Sequence, residues 1–508
     1  MSARFTVIVA AVLALTVATP ALAQKAKDTL RIALNDLVPV IDGYTLGAGE
    51  GAMFRASIYQ MLIAFDERGE KFVPVLAKSF TRVNDVTIEF ELRDNIKFHN
   101  GNAFDASDVK YTYDFLIDPA TKVLFKGRYT FIKRVEVLGP YKVRIVMQEP
   151  SATDLGDLAY QMPVYDAETH GKLEDKGDYG RTAVGTGPYR MVYIDRNKGI
   201  LTERYDGYAG DTQNFRAPIR YVHGVSIPDR QTQKAQLITG GVDVLRRITP
   251  DDAKEIASSG FDSPITPGGI LMYVTLDAVG RSSNKIMMDE RVRKAFIMAV
   301  DRDLIVQTLV PGGKDEKALD AICFKPHQAC MPSRAPYPYD PAQAKRLLAE
   351  AGYPNGFDLT LHAYSQVKDI AEAIAGALRQ VGIRASVESL PISVYVKKRS
   401  QGEFTAFVGT YPTTSQPDVA NIWNFFFSGD RDYWHDDFIN KVAEEGSREI
   451  DVSKRAKLYT PALDRVNELA YVMPIADLPV QWAVHRDVAI LPNLLSIMDA
   501  TISDFAWK

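Results

Sequence analysis

The sequence is short of most of what would mark an enzyme, a nucleic-acid binder or a membrane protein. Its 508 residues carry 60 Lys and Arg against 64 Asp and Glu, a formal net charge of −4. A balance this even offers no basic face to a nucleic acid or an anionic membrane surface. The seven histidines show no paired metal-ligand spacing, which argues against a multi-His metal centre. There is no G-x-S-x-G elbow, no H-E-x-x-H pair and no G-x-x-x-x-G-K-[ST] phosphate loop. The turn Gly185-Thr-Gly-Pro-Tyr189 resembles the opening of a dinucleotide loop, but Pro188 and the missing third glycine make it a structural turn. Beyond the N-terminus no apolar run approaches the roughly 20 residues of a membrane span. Low-complexity tracts, repeats and Pro/Ser-rich linkers are absent. The chain is therefore not expected to be an enzyme, although two of its many carboxylates could still meet in space and act as a hydrolytic pair.

What is present begins with a leader. Arg4 precedes an apolar stretch from Phe5 to Val17, and Ala21-Leu22-Ala23 completes an A-x-A pattern before Gln24. This describes a secretory signal peptide over residues 1–23. No cysteine follows to accept a lipid, so the expected location is the periplasm, in soluble form. The two cysteines, Cys323 and Cys330, lie seven apart in an exported chain, which points to a disulfide across a short loop. A metal site using the intervening His327 is the alternative.

Strand-like and helix-like segments alternate throughout. Residues 29–34 read as an opening strand, and 86–92 and 141–147 as half-buried strands of alternating polarity. A helix is expected from Asp105 or Ser107 to Ile117, stopped by Asp118-Pro119. Another spans 341–351: Asp340 caps it, Pro341 suits the first position, Gln343 is placed to reach back to the cap, and Gly352 ends it. Residues 289–300 form a third, with Val292, Ala295, Phe296 and Ala299 on one face.

Six blocks, in order, resemble one family, the peptide- and nickel-type (family 5) extracellular solute-binding proteins of bacterial ABC importers. They are the entry segment from Ile41 to Asp66, residues 72–80 (FVPVLAKSF), 96–109 (IKFHNGNAFDASDV), 185–189 (GTGPY), 289–302 (DERVRKAFIMAVDR) and 339–353 (YDPAQAKRLLAEAGY). The resemblance implies an α/β, two-lobed periplasmic-binding-protein fold (type II, three-domain cluster C type) whose cleft closes about a hinge. By position, lobe I takes 28–55, 182–275 and 486–508, an inserted domain takes 56–181, and lobe II takes 276–485. It further implies capture of a small solute, peptide-like at best guess, by a monomer that delivers it to an inner-membrane permease. No cofactor, metal or nucleic acid is called for. A periplasmic hydrolase or chaperone is the alternative of a different class.

Ligand contacts follow from the same resemblance. The backbone at Gly47, Ala48 and Gly49 corresponds to the segment that pairs with a peptide ligand, or is simply a Gly-rich loop. Residues 409–423 (GTYPTTSQPDVANIW) resemble the segment whose Asp holds a peptide's ammonium group, but Thr413 stands at that place. Without a carboxylate there, a buried ammonium costs several kcal/mol. An opine, a sugar-like compound or a metal chelate then becomes an alternative ligand. Asp418 could substitute if the loop is rearranged. Tyr411, Trp423 and Tyr273 could line the cleft by stacking or could pack in the core.

Overall fold

The computed structural model describes residues 28–36, 38–44, 50–66, 71–124, 126–210, 215–324, 327–412, 417–492 and 500–508. The leader, Gly47, Ala48, Gly49 and Thr413 fall outside them.

Two mixed sheets organise the chain. The first has seven strands in the order 265–266, 480–484, 244–246, 29–34, 221–226, 199–204, 189–195. Thr29–Leu34 runs parallel to both of its neighbours, and the remaining pairs are antiparallel. The second has five strands in the order 383–390, 357–364, 406–412, 270–276, 472–477. Phe357–Tyr364 is parallel to Ile383–Leu390 and to Ala406–Pro412. A four-stranded antiparallel sheet (77–84, 87–92, 142–147, 132–139) belongs to the inserted stretch and is backed by the helix Ala106–Ile117. The strand Val480–Val484 falls inside the stretch 276–485 expected for lobe II, yet it pairs in the first sheet with Val244–Arg246. The chain thus returns a few residues earlier than 486, because Val480, Trp482 and Val484 bury their side chains in the first core.

Burial separates the same units. One core joins residues of the seven-stranded sheet to the inserted stretch, from Leu30 to Phe505. Another, from Leu271 to Ala476, is built around the five-stranded sheet. Among the described residues, no helix is long and apolar enough to cross a membrane.

Local signals explain the elements. Asp105 accepts from the Ser107 amide and Asp108 reaches back to the Asp105 amide at 2.9 Å, so Asp105 is the cap of its helix. Asp340 caps Pro341–Glu350 by accepting from the Gln343 amide. The Gln343 side chain does not reach back to the cap; its Oε1 is taken by the Arg346 guanidinium at 2.8 Å, a stronger donor within reach on the same turn. Cys323 and Cys330 form a disulfide. His327, between them, is buried and turns its Nδ1 to Phe324, and among the described residues no group of three or more candidate ligands could hold a metal. The disulfide loop is stitched to the second core: the Gln328 amide donates to Pro417 O and the Val419 amide to Gln328 O.

The turn 185–189 is clasped by His99 from the block 96–109. The His99 amide donates to Gly185 O, Nδ1 accepts from the Gly185 amide at 3.2 Å, and Nε2 lies 2.9 Å from Gly187 O. With one nitrogen accepting and the other donating, the ring is neutral. Burial pushes its pKa down to about 4.

Only two stretches, 266–270 and 477–480, carry the chain between the two large sheets. They touch: an added Cβ on Gly268 would sit 1.9 Å from the Leu478 carbonyl oxygen. Leu478 N donates to Ile270 O, and Ile270 N donates to the Asp477 carboxylate at 3.0 Å. Burial raises the Asp477 pKa to about 6.

Two outcomes follow. Gly268→Ala should cost about 1–3 kcal/mol through overpacking and alter the distribution of lobe separations measured by small-angle scattering. For His99, the unfolded chain takes up a proton between about 6.5 and 4 that the native site refuses, so its stabilisation is lost as pH falls. In denaturant titrations, the stability advantage of wild type over His99→Gln should narrow across that window.

Candidate functional site

In open sheets with parallel strands, ligands gather beyond the carboxyl ends of those strands. In the first sheet these ends are Leu34, followed by Asn35, and Arg246, followed by Arg247. In the second they are Tyr364 and Pro412.

The first wall is a buried polar chain. Arg246 donates to Glu50 Oε1 at 3.1 Å, Asn35 donates to the same oxygen, and Gln233 donates to Asn35. Arg230 donates to the carbonyls of Arg246 and Arg247. This holds Arg247 at a φ of 54°, a left-handed conformation that a non-glycine residue keeps only when its surroundings enforce it. Burial, together with the Arg247 charge, pushes the Arg246 pKa down to about 10. Glu50 directly follows residues 45–49.

The second wall is aromatic and cationic. Tyr273, on Ile270–Leu276, lies opposite Gly409 across the antiparallel pair. The glycine is required there, since a Cβ would meet the Tyr273 ring at 2.8 Å. Tyr273 turns its ring edge to Phe426 at 4.6 Å, while Tyr411 packs on Phe425 at 4.5 Å. Burial raises the Tyr273 pKa to about 12, with the Arg399 charge opposing. Tyr364 and Thr410 join their hydroxyls at 2.6 Å. The guanidinium groups of Arg399 and Arg431 lie 5.5 and 4.9 Å from the centre of the Phe425 ring. Arg399 is 8% exposed and its Nε has no partner.

The structure brings Tyr273 and Tyr411 together around this ring cluster. It places the other two described candidates elsewhere. Asp418 caps Val419–Phe426 with one oxygen and pairs with buried Arg455 at 2.5 Å with the other. Burial raises its pKa, with Arg455 opposing. Trp423 is 2% exposed and packs against Phe427 and Tyr459. Both serve the core of the second lobe: the helix they share turns Phe425 and Phe426 to the cluster and Trp423 to the helix Val452–Glu468. Arg399, Arg431, Phe425 and Tyr364 escape a sequence reading. Arg399 ends a run of three cations, which reads as a solvated helix face, and Arg431 sits in a charged loop.

The sequence profile described as "Bacterial extracellular solute-binding proteins, family 5 Middle" matches residues 71–433. The chain is 26% identical over 463 residues to the Glutathione-binding protein GsiB of Escherichia coli (strain K12), covering 86% of each chain. Its fold superposes on the periplasmic binding protein DppA of Helicobacter pylori in complex with peptide STSA, with TM-score 0.77, 20% identity and 94% and 98% of the two chains covered. It superposes likewise on NikA of Brucella suis in complex with Fe(III)-EDTA, with TM-score 0.82, 21% identity and 94% and 100% covered.

Removing one partner of a buried ion pair leaves the other charge uncompensated, at about 3–5 kcal/mol. Asp418→Ala should therefore lower the unfolding midpoint sharply, as read by circular dichroism. A midpoint equal to wild type would mean that the carboxylate serves something other than the fold.

With a profile that spans most of its length and a fold of the matching architecture, the chain belongs to the family 5 extracellular solute-binding proteins, the solute-capturing components of bacterial ABC importers.

Proposed function

We propose that this chain captures a small organic solute by a carboxylate, which Arg399 receives on the wall of the second lobe. Burying an unpaired guanidinium costs several kcal/mol. Arg399 nevertheless forms no ion pair among the described residues, and one of its donors is unsatisfied. A ligand carboxylate would supply the missing partner through charge-assisted hydrogen bonds in a desolvated cleft. Tyr273, Tyr364, Tyr411 and Phe425 would give the solute its apolar contacts.

A peptide-like ligand fits this anchor, since every peptide ends in a carboxylate. GsiB's glutathione and DppA's peptide are of that kind. Thr413 keeps an opine or a metal chelate in view, because neither requires an ammonium anchor. The Fe(III)-EDTA of NikA is a polycarboxylate chelate. We further propose that Gly47, Ala48 and Gly49 approach the ligand by their backbone. The lobe division is proposed as read from the sequence, with the returning segment now starting at the strand Val480–Val484. The protein acts without catalysis, as a periplasmic monomer that loses residues 1–23 and docks on an inner-membrane permease.

The test is calorimetric, with dialanine, glutathione and glutarate as probes and the fully methylated ester of each as control. Wild type should bind at least one acid and not its ester, and Arg399→Gln should weaken that binding by about 10- to 100-fold. Equal affinities for acid and ester, or an unaffected Arg399→Gln variant, would overturn the reading.

A further inference from the structure

The carboxylate anchor is not alone, and the way its neighbour is held points to the number of acidic groups in the ligand. Arg431 lies in the turn Gly429–Arg431, on the same Phe425 ring that Arg399 faces. Two like charges close together in a half-desolvated site repel each other, and folding normally avoids this by placing a carboxylate between them. No ion pair forms there. Asp430 acts on Arg431 through its charge, but it is exposed and makes no ion pair with it. Asp432 is buried, but its Oδ1 is turned the other way, accepting from the amides of Trp434 at 2.9 Å and His435 at 2.8 Å. Among the described residues neither arginine forms an ion pair.

The backbone nevertheless holds the two in register. Arg281 donates through one guanidinium nitrogen to Asp430 O at 2.6 Å and through the other to Ser400 O at 2.9 Å. Its own plane lies against Tyr433, 4.7 Å from the ring centre. The Tyr433 hydroxyl donates to Arg399 O at 2.7 Å. A single bracket, Arg281 with Tyr433, thus ties the residue next to each arginine, and Arg399 itself, to one rigid frame. Fixing two guanidinium groups on one ring without an ion pair stabilises nothing in the empty protein. It pre-organises a receptor for an anion with more than one acidic group.

We propose that Arg431 is a specificity-determining contact for a second acidic group, so that the protein selects diacidic solutes over their monoacidic counterparts, with Arg281 as its positioning residue. This rests on the reading that Arg399 receives the first carboxylate. Burial, and next the Arg399 charge, lower the Arg431 pKa, with exposed Asp430 opposing. A ligand carrying two acidic groups removes that repulsion and gains two charge-assisted contacts. A monoacid leaves one guanidinium facing the other uncompensated.

The experiment compares pairs that differ in one carboxylate, using the mature chain and titration calorimetry. The pairs are glutathione and its monoethyl ester, glutarate and its monomethyl ester, and alanyl-glutamate and its γ-methyl ester. Wild type should prefer the diacid of at least one pair by about 10-fold or more, a preference that shrinks as salt rises. Arg431→Gln should bring that ratio close to one by weakening the diacid. Arg281→Lys, which loses the two-armed bracket, should reduce the ratio without abolishing binding. The proposal is overturned if wild type binds diacid and monoester equally, if Arg431→Gln keeps the preference, or if no member of any pair binds. Arg399→Gln separates the two readings. If it leaves monoester affinity intact, the anchor itself is misplaced. If it abolishes monoester binding while Arg431→Gln leaves the diacid ratio untouched, the anchor stands and the second contact falls.

Discussion

The structure depends on a contact between two short crossing segments. Residues 266–270 and 477–480 carry the chain between the sheets, and they lie so close that Gly268 has no room for a methyl group beside the Leu478 carbonyl. Hydrogen bonds from Leu478 N to Ile270 O and from Ile270 N to Asp477 lock them together. A joint of two short segments bends without unpacking either core, because each large sheet keeps its own set of buried side chains. Hinges of this kind absorb rotation in a few residues while the lobes move as units.

The walls that such a joint brings face to face are built differently. On the first, Arg246 pairs with Glu50, and Arg230 braces the strained peptide at Arg247. On the second, two guanidinium groups share an aromatic ring and neither forms an ion pair among the described residues. In a desolvated site an unmatched charge is expensive to fold, so its retention points to a partner that arrives from outside. The inserted stretch adds contacts to the second lobe, with Ala152 N donating to Ser447 O and Glu149 paired with Arg448 at 3.0 Å.

Much of the fold was legible because its signals are local. An Asp cap, a proline at the first helical position or a run of alternating polarity acts within a few residues, and the helices at 106–117 and 341–350 begin at Asp caps the sequence offers. Side-chain choices among competing donors were not legible: Gln343 turned to Arg346 because the guanidinium came within reach. The candidate site divided in the same way. Tyr273 and Tyr411 lie in the aromatic cluster. Asp418 and Trp423, a few residues further on, face the opposite side of a helix whose phase relative to the cleft no short motif reveals.

By itself, the sequence determined the family, the order of elements and the even overall charge, since composition and spacing carry that information directly. Only the tertiary structure decided which charges are left unmatched. Arg399 and Arg431 are far apart along the chain from Tyr273 and from Arg281. They become a site only when the strand Ile270–Leu276 pairs with Ala406–Pro412 and Arg281 bridges Ser400 to Asp430. Pairing between distant strands sets which side chains lose water together, and that loss turns ordinary arginines into a receptor.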